Sequence, residues 1–410
     1  MDLIIMSQQV NGQVRLSKQR ILKQVRELWS QGRKNEAFSL LINVANDIDG
    51  NKKPAWLYQL LAFYQYNYND LPSALSVIQS SLEFYPDDPA LLEANLMLNS
   101  MLGHVNEAKS AFETLMQHNI SNANIYDGAS SIYKKLGELE KAKEYGLKSL
   151  AEKDRQVCEA ADFKAIRKRS AKAHLKQRPD AQNYISFSLF GDRPKYLRGV
   201  FDNYLAIEKY FPGWQMVIFV DDTVPEDMLN EIKKLKIEVV HEPSGQSSMD
   251  KLVWRFKPLD WDKSGRVLIR DVDSVITKKE AELIDQWIES DELFHIIRDW
   301  YSHSELILAG LWGGVAGILP VLQELQGEYV EKEMSFSHYD QYLLRATVWP
   351  RIKKKVFVHD EVFQYAASVK PHNREDWSGK NHFGCIVYGC DVEAQAERIA
   401  KFSHIKSLAL

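Results

Sequence analysis

The stretch RVLIRDVDSVI (266–276) ends an apolar run in two acids, Asp271 and Asp273, one residue apart. In extended chain, side chains two positions apart point the same way, so the two carboxylates are expected to converge. Converging like charges need a positive partner. A divalent hard cation, Mg2+ or Mn2+, supplies one through oxygen ligands. Held by few protein groups, such an ion keeps open positions for phosphate oxygens and acts as a Lewis acid on a departing diphosphate. The plainer reading is a polar turn capped by aspartate, since such triplets arise often by chance. Arg270 alternates away from the two acids and is expected to be structural.

The elements that must position this pair begin near Tyr184. YISFSLF reads as a strand, KYLRGVFDNYLAIEKYF as a helix, WQMVIFV as a buried strand, PEDMLNEIKKL as a helix and KIEVVH as a strand. A short helix around Trp254 precedes the strand RVLI. This is the order of an α/β domain with a largely parallel sheet. Ligands of such sheets gather at the carboxyl ends of the strands. Three polar groups fall there: Ser188 to Asp192, Asp221 with Asp222, and Asp271 with Asp273. Gly191 suits close approach of backbone to a ligand, and equally an ordinary turn. Two acids after a strand are also a common lead-in to a helix cap.

Ahead of this domain the chain repeats. Ala74, Ala108 and Ala142 lie 34 residues apart, as do Leu71, Val105 and Leu139, and Asn69, Gly103 and Gly137. Ala62 and Ser130 supply small residues in the first helices, whereas Leu96 breaks that rule. The segment resembles the tetratricopeptide repeat, with three units from about Lys53 to Asp154. A degenerate unit, LWSQGRKNEAFSLLINVA, precedes them. Such units bury their apolar faces only by stacking. Partner binding or self-association is expected of them; a packing extension of the second domain is the alternative. The expected domains are 1–175, a helical repeat unit, and 182–410, the α/β unit. The basic connector FKAIRKRSAKAHLKQRPD lies between them. Its charge suits an anionic lipid surface, but a solvated helix face is the plainer reading.

Composition narrows the function classes. The 410 residues are 45% hydrophobic and 26% charged, with a formal charge of −4, which gives no reason to expect a nucleic-acid partner. Three cysteines without a CxxC pair fit a reducing compartment. The apolar piece at the start follows an acid and is too short for a signal peptide, and no apolar run reaches membrane-spanning length. A cytoplasmic protein is therefore expected, or one peripheral at a membrane. No GxSxG, Walker loop or HExxH motif offers a competing chemistry.

Residues 182–405 resemble the GT-A-fold glycosyltransferases, which use nucleotide-sugar donors. The resemblance rests on SFSLFGDRPKYLRG, VWRFKPL, LIRDVDSVITKKE, FHIIRDWYSHSELILAGLWGG, YDQYLL and NHFGCIVYG, in that order. The set is similar to an uncharacterised bacterial and viral transferase-like group, and more loosely to glycosyltransferase family 8. It implies that Asp271 and Asp273 bind metal and diphosphate, with Mn2+ or Mg2+ as cofactor and His382 as third ligand. Ser188 and Gly191 would face the nucleotide, Asp221 or Asp222 the base or ribose, and Arg255 a phosphate or a salt-bridge partner. GLWGGVAG would set Trp312 and Gly313 as a wall against a sugar ring, or form a tight packed turn with a core Trp. Asp299 would hold a hydroxyl or act as base, with His303 structural. Asp340 and Gln341 would border the reacting centre. HFGCIVYG lacks the lysine of the family 8 pattern and reaches its glycine one residue early. The implied function is sugar transfer to a glycan, lipid-linked or protein acceptor. An inactive ligand-binding scaffold and a nucleotide-sugar hydrolase are the alternatives.

Overall fold

The computed structural model describes residues 18–160, 166, 170–329, 338–366, 368–369, 382–384 and 400–405. The chain divides between Ala142 and Lys143 into two compact units. The first unit consists of helices in consecutive pairs: α1 (Lys18–Ser30), α2 (Lys34–Asn46), α3 (Ala55–Asn67), α4 (Leu71–Leu82), α5 (Pro89–Leu102), α6 (Val105–Gln117), α7 (Ala123–Lys135) and the start of α8 (Leu139–Ala160). From α3 onward both helices of a pair begin 34 residues after their counterparts.

The repeated residues have physical reasons. Asn69, Gly103 and Gly137 all have positive φ, at 65°, 81° and 78°. They form the left-handed turn between the two helices of a unit, where glycine or asparagine costs least. Ala74, Ala108 and Ala142 are fully buried on the second helices. Ser130 donates from Oγ to the Ala142 carbonyl at 2.7 Å, so its hydroxyl is satisfied in the core. Leu96 is also fully buried. Its bulk is accommodated by Gly128 on α7, where a Cβ would lie 3.2 Å from the Leu96 Cδ2.

The division between units falls inside α8, ahead of the basic connector where the sequence places it. The reason is that α8 outlasts its repeat. Lys153 on its second half donates to the Ser304 carbonyl at 2.6 Å. Asp154 accepts from Trp349 Nε1 at 2.7 Å and from the Tyr365 hydroxyl at 2.9 Å. Phe163 to Arg169, apart from Ile166, lies outside the described residues.

The second unit continues with α9 (Ala171–Leu175), β1 (Gln182–Leu189), α10 (Pro194–Tyr210), β2 (Trp214–Val220), α11 (Glu226–Ile232), β3 (Ile237–His241) and α12 (Ser248–Val253). A 3-10 helix (Trp254–Asp260) leads to β4 (Ser264–Arg270), α13 (Lys278–Ser290), β5 (Phe294–Arg298) and β6 (Leu311–Val315). β7 (Val356–Asp360) and β8 (Ser368–Val369) follow. The strands form one mixed sheet in the order β3-β2-β1-β4-β6-β5-β7-β8. β6 runs antiparallel to both neighbours, and the other pairings are parallel. Alternate residues of β2 enter opposite cores: Val217 and Phe219 join one, and Met216, Ile218 and Val220 the other. A sheet covered on both faces explains the near-continuous apolar runs of β1, β2 and β4.

Chain order reverses between β1 and β4. From β1 the sheet grows outward through β2 and β3, then resumes on the other side of β1 with β4. The carboxyl ends of two such strands flank a crevice, the usual ligand position in open α/β sheets. Asp271 follows directly on the β4 end.

Candidate functional site

Asp271 and Asp273 sit in a turn rather than in extended chain, with Ser274 N–H donating to the Asp271 carbonyl at 3.2 Å. Helix α10 pins that turn. Asn203 donates to the Val272 carbonyl at 3.1 Å and accepts from Ile276 N–H at 3.1 Å. Gly199 packs so closely that a Cβ would run into the Val272 carbonyl oxygen. Gly310 leaves space for the Asp271 carboxylate in the same way. Gly199→Ala must therefore push α10 off the turn, because its obstacle is backbone. A loss of about 3 kcal/mol is expected, at the upper end of overpacking costs, read as a lower melting temperature. Gly310→Ala meets first the half-exposed Asp271 side chain, with the Asp271 backbone nitrogen next at 3.1 Å, so a smaller loss is expected in the same measurement.

Each acid has a cationic partner. Lys195 Nζ lies 2.8 Å from Asp273 Oδ2. The Asp273 bond holds Lys195 above its usual range, against the downward pull of burial. Arg255 is buried and bridges Asp271, the Arg270 carbonyl at 3.2 Å and Asp340 at 2.7 Å. Burial alone would lower the Arg255 pKa, yet Asp271 and Asp340 together raise it. Burial raises the Asp340 carboxyl, although Arg255 pulls it down. Asp340 lies on the short helix Tyr339–Leu343, and Gln341 N–H donates to its Oδ1 at 3.0 Å. Arg255 thus makes salt bridges, one of its two expected roles.

The β1 and β2 ends complete this edge. Ser188 Oγ accepts from Arg255 N–H at 3.2 Å. Gly191, at φ 75°, donates from N–H to Thr223 Oγ1 at 2.7 Å. Asp221 is buried and bonds Lys251 at 2.5 Å and Thr223 N–H at 3.1 Å. Burial would raise its pKa, but those partners hold it low. Asp222 is exposed and accepts from the Ser244 hydroxyl.

Other expectations need correction. GLWGGVAG is no open wall: Leu311–Val315 is strand β6, inside the sheet. Trp312 is 1% exposed and meets Phe256 edge-on at 5.6 Å. It is a core residue, with no face left for a sugar ring. At Gly313 a Cβ would approach the Val267 carbonyl to 2.7 Å, so the glycine serves strand packing. His382 is grouped with Asp299 and His303, their ligand atoms within 4.8 Å of one another; this group does not include Asp271 or Asp273. Asp299 is buried and accepts from Phe383 N–H at 3.1 Å. Arg270, as expected, is structural: it pairs with Glu280 at 2.5 Å and donates to the Trp312 carbonyl at 2.9 Å.

Comparison with known proteins adds little. No protein-family model matches the chain, and no curated protein does. Among solved structures, a tetratricopeptide repeat protein from Parabacteroides merdae ATCC 43184 is 20% identical at a TM-score of 0.29, over 32% of this chain and 52% of that one. MamA from Desulfovibrio magneticus RS-1 is 17% identical at 0.29, over 32% of this chain and 72% of that one. A mutant O-GlcNAc transferase from Thermobaculum terrenum is 10% identical at 0.34, over 57% of this chain and 42% of that one. The chain thus spans about half of the repeat protein and less than half of the transferase. TM-scores this low fix neither fold nor activity here. Among the described residues, no helix is long and apolar enough to cross a membrane.

Lys195, Lys251, Gly199 and Asn203 are the site residues that sequence reasoning missed. A lysine one residue past a helix-starting proline carries no signal of its own. Gly199 did: a glycine inside a strongly amphipathic helix often marks close packing.

Proposed function

We propose that the α/β unit is a metal-dependent glycosyltransferase of the GT-A type, moving a sugar from a nucleotide-diphosphate donor to a glycan, lipid-linked or protein acceptor. One observation carries the reading. After the β4 end, Arg255 joins Asp271 to Asp340 and Lys195 pairs with Asp273, so three carboxylates are met by two cations. With all five ionised, the cluster keeps one negative charge. That charge would favour a divalent cation, held by Asp271 and Asp273.

Asp271 and Asp273 fit the role of ligands. Asp271 is 51% exposed on its side chain, and the missing Cβ of Gly310 gives its carboxylate room. When bound, Mn2+ or Mg2+ supplies positive charge to the leaving diphosphate. The chain's own residues prepare the place. Arg255 fixes Asp271 against Asp340, Lys195 restrains Asp273, and α10 holds the turn between them. Preorganised charge of this kind needs little rearrangement when charge develops. The helical repeats then serve acceptor or partner binding, or dimerisation.

A second reading, a ligand-binding unit without turnover, draws on the ion pairs already made by both acids. A panel of nucleotide sugars, scored for nucleoside diphosphate release with and without Mn2+, separates the two. Release with one donor, dependent on Mn2+ and raised by acceptor extracts, is expected. Mn2+-dependent binding without release from any donor would favour the second reading.

A further inference from the structure

The segment after β5 gathers a second set of metal-ligand groups, which includes neither Asp271 nor Asp273. Asp299, His303 and His382 each place one ligand atom within 4.8 Å of the others'. Asp299 is fully buried and His303 is 7% exposed. Tetrahedral zinc with bonds of 2.0–2.2 Å has donors about 3.4 Å apart. A contraction of roughly an ångström brings this set to that spacing.

Both rings are oriented by the residues around them. His303 Nδ1 lies 3.0 Å from Asp299 Oδ1, where a proton on Nδ1 meets the carboxylate, and 3.3 Å from the Asp299 backbone nitrogen. His382 Nδ1 lies 2.7 Å from the Phe383 carbonyl, so it carries the proton and donates. A ligating histidine is held by its other nitrogen in this way. Trp300 stacks on the His382 ring at 5.2 Å and 9°, and His303 meets it edge-on at 5.1 Å. Asp299 Oδ2 takes the Phe383 N–H. The ligands are therefore oriented by bonds that do not involve a metal.

We propose that Asp299, His303 and His382 form a site for one divalent transition metal of the zinc class. Two imidazoles and a carboxylate suit such an ion better than the all-oxygen preference of Mg2+. Three protein ligands leave a fourth position for water or a substrate oxygen. The ion would also tie the 299–303 turn to the segment 382–384, beside the Phe383 N–H bond to Asp299 and the ring contacts of His382. The site stands apart from the diphosphate reading: its ligands include neither Asp271 nor Asp273.

The test is a Co2+ titration of the full chain after chelator treatment, followed by its visible absorption and then by Zn2+ competition. One equivalent of Co2+ should give a tetrahedral-type band that Zn2+ removes. His303→Gln and His382→Gln should each weaken Co2+ binding at least about 10–100-fold, the loss seen when even an outer partner is removed. Asp262→Asn, at a fully exposed carboxylate, should keep the wild-type titration. Melting curves without metal report folding, and the half-buried His382 gives the variant least prone to misfold. Zn2+ should raise the melting temperature of the wild type but not of His382→Gln. No band in the wild type, or an unchanged titration in the folded His382→Gln chain, would overturn the proposal. A band lost in Asp262→Asn and kept in both histidine variants would do the same.

Discussion

Asp271→Asn and Asp273→Asn are each expected to abolish Mn2+-dependent binding of a nucleoside diphosphate and to leave the unit folded. The fold tolerates the change because asparagine keeps the shape of aspartate and each cation keeps a partner or water. Lys195 is 32% exposed although its partner Asp273 is 15% exposed, and Asp271 is 51% exposed although its partner Arg255 is buried. Arg255 keeps Asp340 when Asp271 is neutralised. Binding has no such reserve. Each substitution removes one negative charge from the cluster and replaces a hard anionic ligand by a neutral amide. Calorimetry on purified variants, with melting curves alongside, measures both effects. Wild-type nucleotide affinity in both variants would end the assignment of these acids as metal ligands.

The largest stability effect is expected at Arg255. The guanidinium is 5% exposed and bonds Asp340, itself 6% exposed, and Asp271. Arg255→Met keeps the apolar stem and removes the charge, leaving Asp340 buried without its cation. Breaking a buried pair from one side costs about 3–5 kcal/mol. The low end is expected, because Asp340 can take a proton instead of remaining charged. That escape has a sign. Burial already raises the Asp340 carboxyl, and the loss of Arg255 removes the strongest pull in the other direction. A carboxyl whose folded pKa lies above its unfolded value destabilises most above the folded pKa. The variant should therefore recover stability relative to wild type as pH falls through the raised Asp340 pKa. Chemical denaturation across that range reads the difference directly. A deficit independent of pH would show that lost packing, not charge, is the cause.

Much of the repeat unit was legible because its signals are local. Asn69, Gly103 and Gly137 mark one backbone conformation at a fixed period, and turn chemistry of that kind depends on nearest neighbours. The strands β1, β2 and β4 were equally plain, since burial on both faces leaves long apolar runs. What failed depended on tertiary placement. GLWGG reads as a turn by composition, but its glycines let β6 lie close against β4 and β5. Trp312 consequently lies in the core, the alternative to a sugar wall. The acid pair was visible, while the turn that orients it depends on Gly199 and Asn203 of a distant helix. His382 is 79 positions after His303 in the chain, and nothing in the spacing joins them. The extension of α8 past its repeat period was also hidden, because residues after Ala142 keep helical spacing while their partners change.

The most direct test is the anomalous scattering of Mn2+ in crystals of the full chain grown with Mn2+ and the nucleoside diphosphate of its donor. The account predicts an anomalous peak coordinated by Asp271 and Asp273 and by oxygens of the diphosphate, at the carboxyl ends of β1 and β4. A diphosphate seated elsewhere, or bound at the acid pair with no metal peak beside it, would contradict the account.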